Sequence, residues 1–122
     1  MANLDRNLTV LLSMKKYCKE IFNALDYFKP SIEDFRKKDY IRNSISFPLF
    51  QVCELVNHLT PKYLEKTKDK TNWNFIRGMR NRFAHGYGKM DLDVIYSTAK
   101  EDIPELYKFI ENEINNSFKR DK

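Results

Sequence analysis

The sequence predicts an all-α protein, an antiparallel bundle of four to five helices in one domain. Three observations carry this. Glycine and proline number only 3 and 4 in 122 residues, too few for a turn-rich β architecture. Apolar residues recur at intervals of three and four through four long stretches, the period of a helix with one buried face. The links between those stretches are short, as between antiparallel neighbours in a bundle. One domain is expected over residues 1–118, followed by a frayed basic tail at 119–122.

The first helix is expected from Asn3 to Phe28, with Leu4, Leu8, Leu11, Cys18, Ile21, Leu25 and Phe28 on its apolar face. Pro30 ends it, and Ser31 with Asp34 has the form of a capping box for a short helix. The second runs from Asp39 to Leu59 on Ile41, Ile45, Leu49, Val52, Val56 and Leu59. Pro48 lies inside it and should kink it by removing a backbone donor, or divide it into two helices near Ser46. Residues 60–72, with Lys62, Lys66, Lys68 and Lys70, read either as a helical extension with a solvated loop or as a positive lip beside a nucleic-acid site. The third helix spans Asn72 or Trp73 to His85, where Gly86 can close it. The fourth spans Asp91 to Ser117 on Leu92, Ile95, Tyr96, Ala99, Ile103, Leu106, Ile110 and Ile114, with a kink expected at Pro104.

Composition narrows the function classes. A 42% hydrophobic content excludes a disordered chain, and the net charge of +5 suits an anionic partner such as RNA without requiring one. Cys18 and Cys53 both sit in apolar stripes, as buried thiols of a reducing compartment do. His58 and His85 lack cysteine partners at ligand spacing, so no zinc site is expected, and no cofactor. No apolar leader and no run of membrane-spanning length is seen, which gives the expectation of a soluble, cytoplasmic protein with no membrane association.

The stretch RNRFAHGY, residues 80–87, concentrates the polar chemistry. On a helix Ile76, Met79 and Phe83 face the core, Arg80 lies at the edge of that face, and His85 lies about 140° around from Arg80. Asn81, four residues before His85, shares its face. A histidine there can simply cap the helix end, and an edge arginine can simply pack by its stem. If Arg80 and His85 act on one small group, either the chain leaves the helix near Gly86 or the site is shared across a two-fold axis with each motif facing its mate, and a homodimer is the cheaper solution.

The pattern Arg80-x-x-x-x-His85-x-Tyr87 resembles the signature of HepT-type proteins of the HEPN superfamily. The surroundings agree: "VCE" at 52–54, with Glu54 at the acidic position; "NWNFIRGMRNRFAH", with Trp73; and "DIPEL" at 102–106, with Pro104. The likeness covers residues 35–112, and it departs at Pro48, where the family commonly has small or charged residues. The resemblance implies a HEPN-type helical homodimer and a metal-independent endoribonuclease toxin with the two motifs in a shared cleft. It also implies a partner, a small nucleotidyltransferase antitoxin that transfers AMP to the motif tyrosine, here Tyr87.

Within that frame RNA supplies its own 2′-hydroxyl nucleophile. His85 moves protons, Arg80 holds phosphate oxygens, Asn81 orients one or the other, and Glu54 pairs with Arg80 or another arginine of the same helix. The RNA is transfer RNA or messenger RNA. The alternatives are a non-catalytic HEPN module that binds RNA or nucleotide for a partner nucleotidyltransferase, or a helical interaction protein with no site.

Overall fold

The computed structural model describes residues 2–84 and 89–118, with side chains from Arg6 to Phe83 and from Asp91 to Phe118. Among the described residues every regular element is helical. Helix α1 spans Ala2–Phe28 and closes at Lys29, whose φ of 44° reverses the chain ahead of Pro30. Helix α2, Ile32–Lys37, carries the expected reciprocal box: Asp34 N–H donates to Ser31 Oγ, and Ser31 N–H donates to the Asp34 carboxylate.

Helix α3 spans Asp39–Leu55 and runs through the buried Pro48 as a single element, so the division near Ser46 does not occur. It stops before Leu59, however, and tightens into a 3₁₀ turn at Val56–His58. The cause lies downstream. Pro61 is the first residue of helix α4, Pro61–Thr67, and the residue before a proline is driven out of the helical region. Thr60 is accordingly extended, and its hydroxyl caps α4 by accepting from Tyr63 N–H.

The third expected helix is two: α5, Trp73–Gly78, and α6, Arg80–Ala84. Asn72 caps α5 by accepting from Phe75 N–H at 3.0 Å. Helix α7, Lys89–Ser97, continues through a π turn at Thr98–Asp102 into α8, Ile103–Asn116. Pro104 cannot donate to the preceding turn, and Ile103 N–H reaches back five residues to Thr98 O. The irregularity expected at Pro104 therefore takes the form of a π turn. The expectation for a frayed tail at 119–122 lies outside the described residues.

The direction of the helices follows from who meets whom. The start of α1 meets the end of α3: Arg6 Nε donates to His58 O at 2.8 Å. The end of α1 meets the start of α3 through Phe28 and Tyr40, rings 5.9 Å apart. The two are antiparallel. Lys15 pairs with Glu111, and Phe22 packs on Tyr107, so α8 also runs antiparallel to α1. Helix α2 is tied to α7 by a two-point ion pair between Arg36 and Asp93, each bond 2.9 Å.

The core is one cluster of buried side chains, with Leu11, Met14, Cys18 and Ile21 of α1 packed on Ile45, Leu49 and Val52 of α3 and Ile95, Ile103 and Ile110 of the α7–α8 run. Cys18 and Cys53 are free and buried, and burial pushes each thiol up to about 12, so both stay protonated.

Five polar side chains are buried among the described residues, Asn7, Ser46, Thr67, Thr98 and Glu113, and the first and last of them tie helices together. Asn7 pins α1 to the start of α4 twice: its Nδ2 donates to Thr60 Oγ1 at 3.1 Å, and its Oδ1 accepts from Thr60 N–H at 3.0 Å. Glu113 of α8 accepts from Tyr63 Oη at 2.6 Å. Deleting the first device should be felt directly. Asn7→Ala should lower the unfolding free energy by about 1–3 kcal/mol, because it strips a partner from a partly buried N–H and hydroxyl. Urea denaturation reads this, and an unchanged midpoint would refute it.

Candidate active site

Gly78 and Met79 make the break that sets the site. Glycine is a poor helix former, and no atom lies within 4 Å of where its Cβ would stand, so packing does not demand it there. At Met79 the N–H is shared between Phe75 O, at 3.1 Å, and Ile76 O, at 3.2 Å. Arg82 N–H then bonds to Met79 O at 2.9 Å, a three-residue spacing that tightens the turn. The Met79 side chain is sunk in the core, with its sulfur 3.7 Å from Thr98 Oγ1. Phe83, half-buried, packs edge to face on Phe50 of α3 with ring centres 5.3 Å apart. Helix α6 is thus held at both ends by apolar anchors, and Arg80 stands between them.

Arg80 is 55% exposed, and its Nε donates to Glu54 Oε2. Glu54 projects from the last turn of α3 and is half-buried. The bond uses the inner nitrogen of the guanidinium. Both terminal nitrogens have no protein partner among the described residues, so the planar fork is oriented and still has donors to give. An oxyanion such as a phosphodiester is the chemistry that this fork suits.

The structure therefore brings together two of the residues singled out in the sequence, Arg80 and Glu54. It leaves Asn81 exposed on α6. His85 and Tyr87, like Gly86, lie outside the described residues. What brackets that segment is described: Arg82 Nη1 donates to Asp91 Oδ1 at 2.8 Å, joining α6 to α7 across residues 85–88. Arg77, on α5, is exposed and adds another cation three residues before Arg80.

Residues 14–113 match the family described as "Ribonuclease HepT-like". The chain belongs to the HepT-like ribonuclease family. The match takes in Glu54, Arg80 and Asn81. Among relatives, a Caldanaerobacter subterraneus protein named "Putative RNase TTE0752" is 33% identical over 78 residues, 64% of this chain and 69% of its own length. A Thermococcus cleftensis protein named "Probable ribonuclease HepT" is 24% identical over 98 residues, 77% of this chain and 89% of its own. No solved structure gives a significant match.

Two contacts of this HepT-like site were not foreseen from the sequence: Arg82 with Asp91, and Phe50 with Phe83. The first left a trace, since Asp91 lies in the first turn of α7 just past the motif and an acidic residue near a helix start faces available donors. The second left none, because the stripe used to place α3 put Phe50 off the core face.

The Glu54–Arg80 pair is partly solvated, and such pairs contribute little to stability. Glu54→Gln should shift the unfolding free energy by no more than about 1 kcal/mol. Urea titration beside the wild type reads this, and a larger loss would make the pair a structural strut.

Proposed function

We propose that this chain is a metal-independent endoribonuclease, the toxin of a pair whose antitoxin is a small nucleotidyltransferase. Membership of a family whose relatives are named as ribonucleases supports the substrate class. The observation that carries the chemistry is the Arg80 fork, oriented through Nε by Glu54 with neither terminal nitrogen bonded among the described residues.

The reaction needs few groups. A base takes the proton of the 2′-hydroxyl, whose oxygen attacks the neighbouring phosphorus. The bond from phosphorus to the 5′-oxygen breaks, and an acid protonates that oxygen as it leaves. The products are a 2′,3′-cyclic phosphate and a 5′-hydroxyl. His85 is assigned the proton transfers, since its imidazole changes charge near neutral pH. Arg80 binds the non-bridging oxygens, where negative charge concentrates at the transition state. Asn81 orients the imidazole or the phosphate. Glu54 is a positioning residue: it touches no substrate and sets the plane of the fork.

Two motifs meet across the axis of a homodimer, which lets His85 and the Arg80 edge converge. Transfer RNA or messenger RNA is the substrate. AMP added to Tyr87 silences the site, because each nucleotide sets a phosphate against the Arg80 donors and repels incoming RNA.

Arg80→Ala and His85→Ala should each slow RNA cleavage at least about 100-fold while leaving the helical fold intact. Glu54→Gln should slow it less, and EDTA should have no effect. Cleavage of a radiolabelled RNA reads all of these, with light scattering on the same samples to confirm a dimer. Cleavage by His85→Ala at the wild-type rate, or its loss in EDTA, would defeat the mechanism, and a fully active monomer would defeat the shared cleft. Wild type that binds RNA without cutting it would point to a non-catalytic module.

The switch has its own test. Wild type and Tyr87→Phe are incubated with the partner nucleotidyltransferase, ATP and magnesium, and intact mass is measured. Wild type alone should gain AMP and lose activity. Equal addition to both proteins would remove Tyr87 as acceptor, and modified wild type cutting at full rate would remove the switch.

A further inference from the structure

We propose that the groove between α4 and α5 is a second RNA-binding surface, holding the phosphate backbone that flanks the cleaved position. The inference takes its ligand from the ribonuclease reading, but it rests on a separate set of side chains. The groove is a cavity of about 680 Å³, ample for a nucleotide. Lys68, Lys70 and Arg77 line it, against the carboxylates of Glu65 and Asp69.

What matters is how many of those cations are committed elsewhere. Lys68 is paired with Glu65 at 2.6 Å, but both are mostly exposed, and such a pair is readily exchanged for a stronger anion. Among the described residues Lys70 has only Glu113 as an acidic partner, at 3.9 Å and beyond hydrogen-bond reach, and that buried carboxylate already accepts from Tyr63. Arg77 is exposed and has no acidic partner among the described residues. It sits three residues before Arg80 in sequence, on the other side of the break at Met79. Arg77 therefore links the groove in sequence to the helix that carries Arg80.

The single tryptophan lines the same groove, yet it does not offer a stacking face. Trp73 is 4% exposed, its Nε1 donates to Thr67 Oγ1 at 2.8 Å, and its ring packs edge to face on Phe109. Without an available aromatic plane the groove grips backbone phosphates by charge, so it should accept many sequences. The fold also divides the lysines of residues 60–72. Lys62 and Lys66 line a different cavity, beside Asn7 and Ser117, and are not part of this surface. The lip expected from the sequence is thus half as long in lysines and is completed by Arg77 of the next helix.

The test measures binding apart from cleavage. A short fluorescein-labelled 2′-O-methyl oligoribonucleotide, which cannot be cut, is titrated with full-length protein across a range of salt. Lys70→Ala/Arg77→Ala should weaken binding at least about tenfold and flatten the log–log salt slope by about 1.4, for two lost phosphate contacts. Lys66→Ala, which removes a charge from α4 outside the groove, should bind within about twofold of wild type. If the double variant binds like Lys66→Ala, or if wild type does not bind the probe, the groove is overturned. Wild type that cuts unmodified RNA would leave the ribonuclease reading standing in that event. The converse result, groove-dependent binding by a wild type that never cuts, would sustain the groove and remove the reading of the active site.

Discussion

Burial of one face of α3 against α1 is the constraint on which this molecule depends. Ile45, Leu49 and Val52 are all inaccessible to solvent, and α1 packs over this face with its own buried Leu11, Met14, Cys18 and Ile21. Because the face is fixed by 3.6-residue geometry, the rest of α3 has no freedom in what it shows outward. Glu54 must emerge beside the helix that follows Met79, and Phe50 must lie where Phe83 can reach it. The arginine fork is set by the apolar packing two layers beneath it.

That dependence has an electrostatic side. Glu54 lies next to Cys53 in sequence, and its charge adds to burial in keeping that thiol protonated. The same carboxylate faces a half-exposed guanidinium, where solvent weakens the attraction. Little folding free energy is stored there. What the pair supplies is direction, and an oriented donor set is the form of electrostatics that acts on a developing charge without having to reorganise.

The sequence was legible wherever one helix face decides the matter. The threes and fours of α3 and of the α7–α8 run named side chains that are in fact buried, with Tyr96 and Ile114 only partly so. It was illegible where an effect acts backward along the chain or across it. Pro61 shortens α3 through Thr60, although the apolar period runs on to Leu59. Ile76, Met79 and Phe83 keep a helical rhythm straight across the break at Met79, so the rhythm hid it. Glu113 was overlooked although its spacing of three from Ile110 places it on the core stripe, and a carboxylate on such a stripe announces a buried partner. At the site, the residue types of the motif were readable, and Glu54 was seen as a partner for a nearby arginine. Which guanidinium nitrogen it takes depends on how two helices 26 residues apart approach each other, and that is a tertiary fact.

The Trp73–Thr67–Tyr63–Glu113 chain of hydrogen bonds has an optical consequence. Trp73 is the only tryptophan of the chain, and its indole sits where α4, α5 and α8 converge. Its emission is therefore a local probe of that junction. The dry, ring-lined setting favours blue-shifted fluorescence, and any opening of the junction admits water and moves the spectrum to the red.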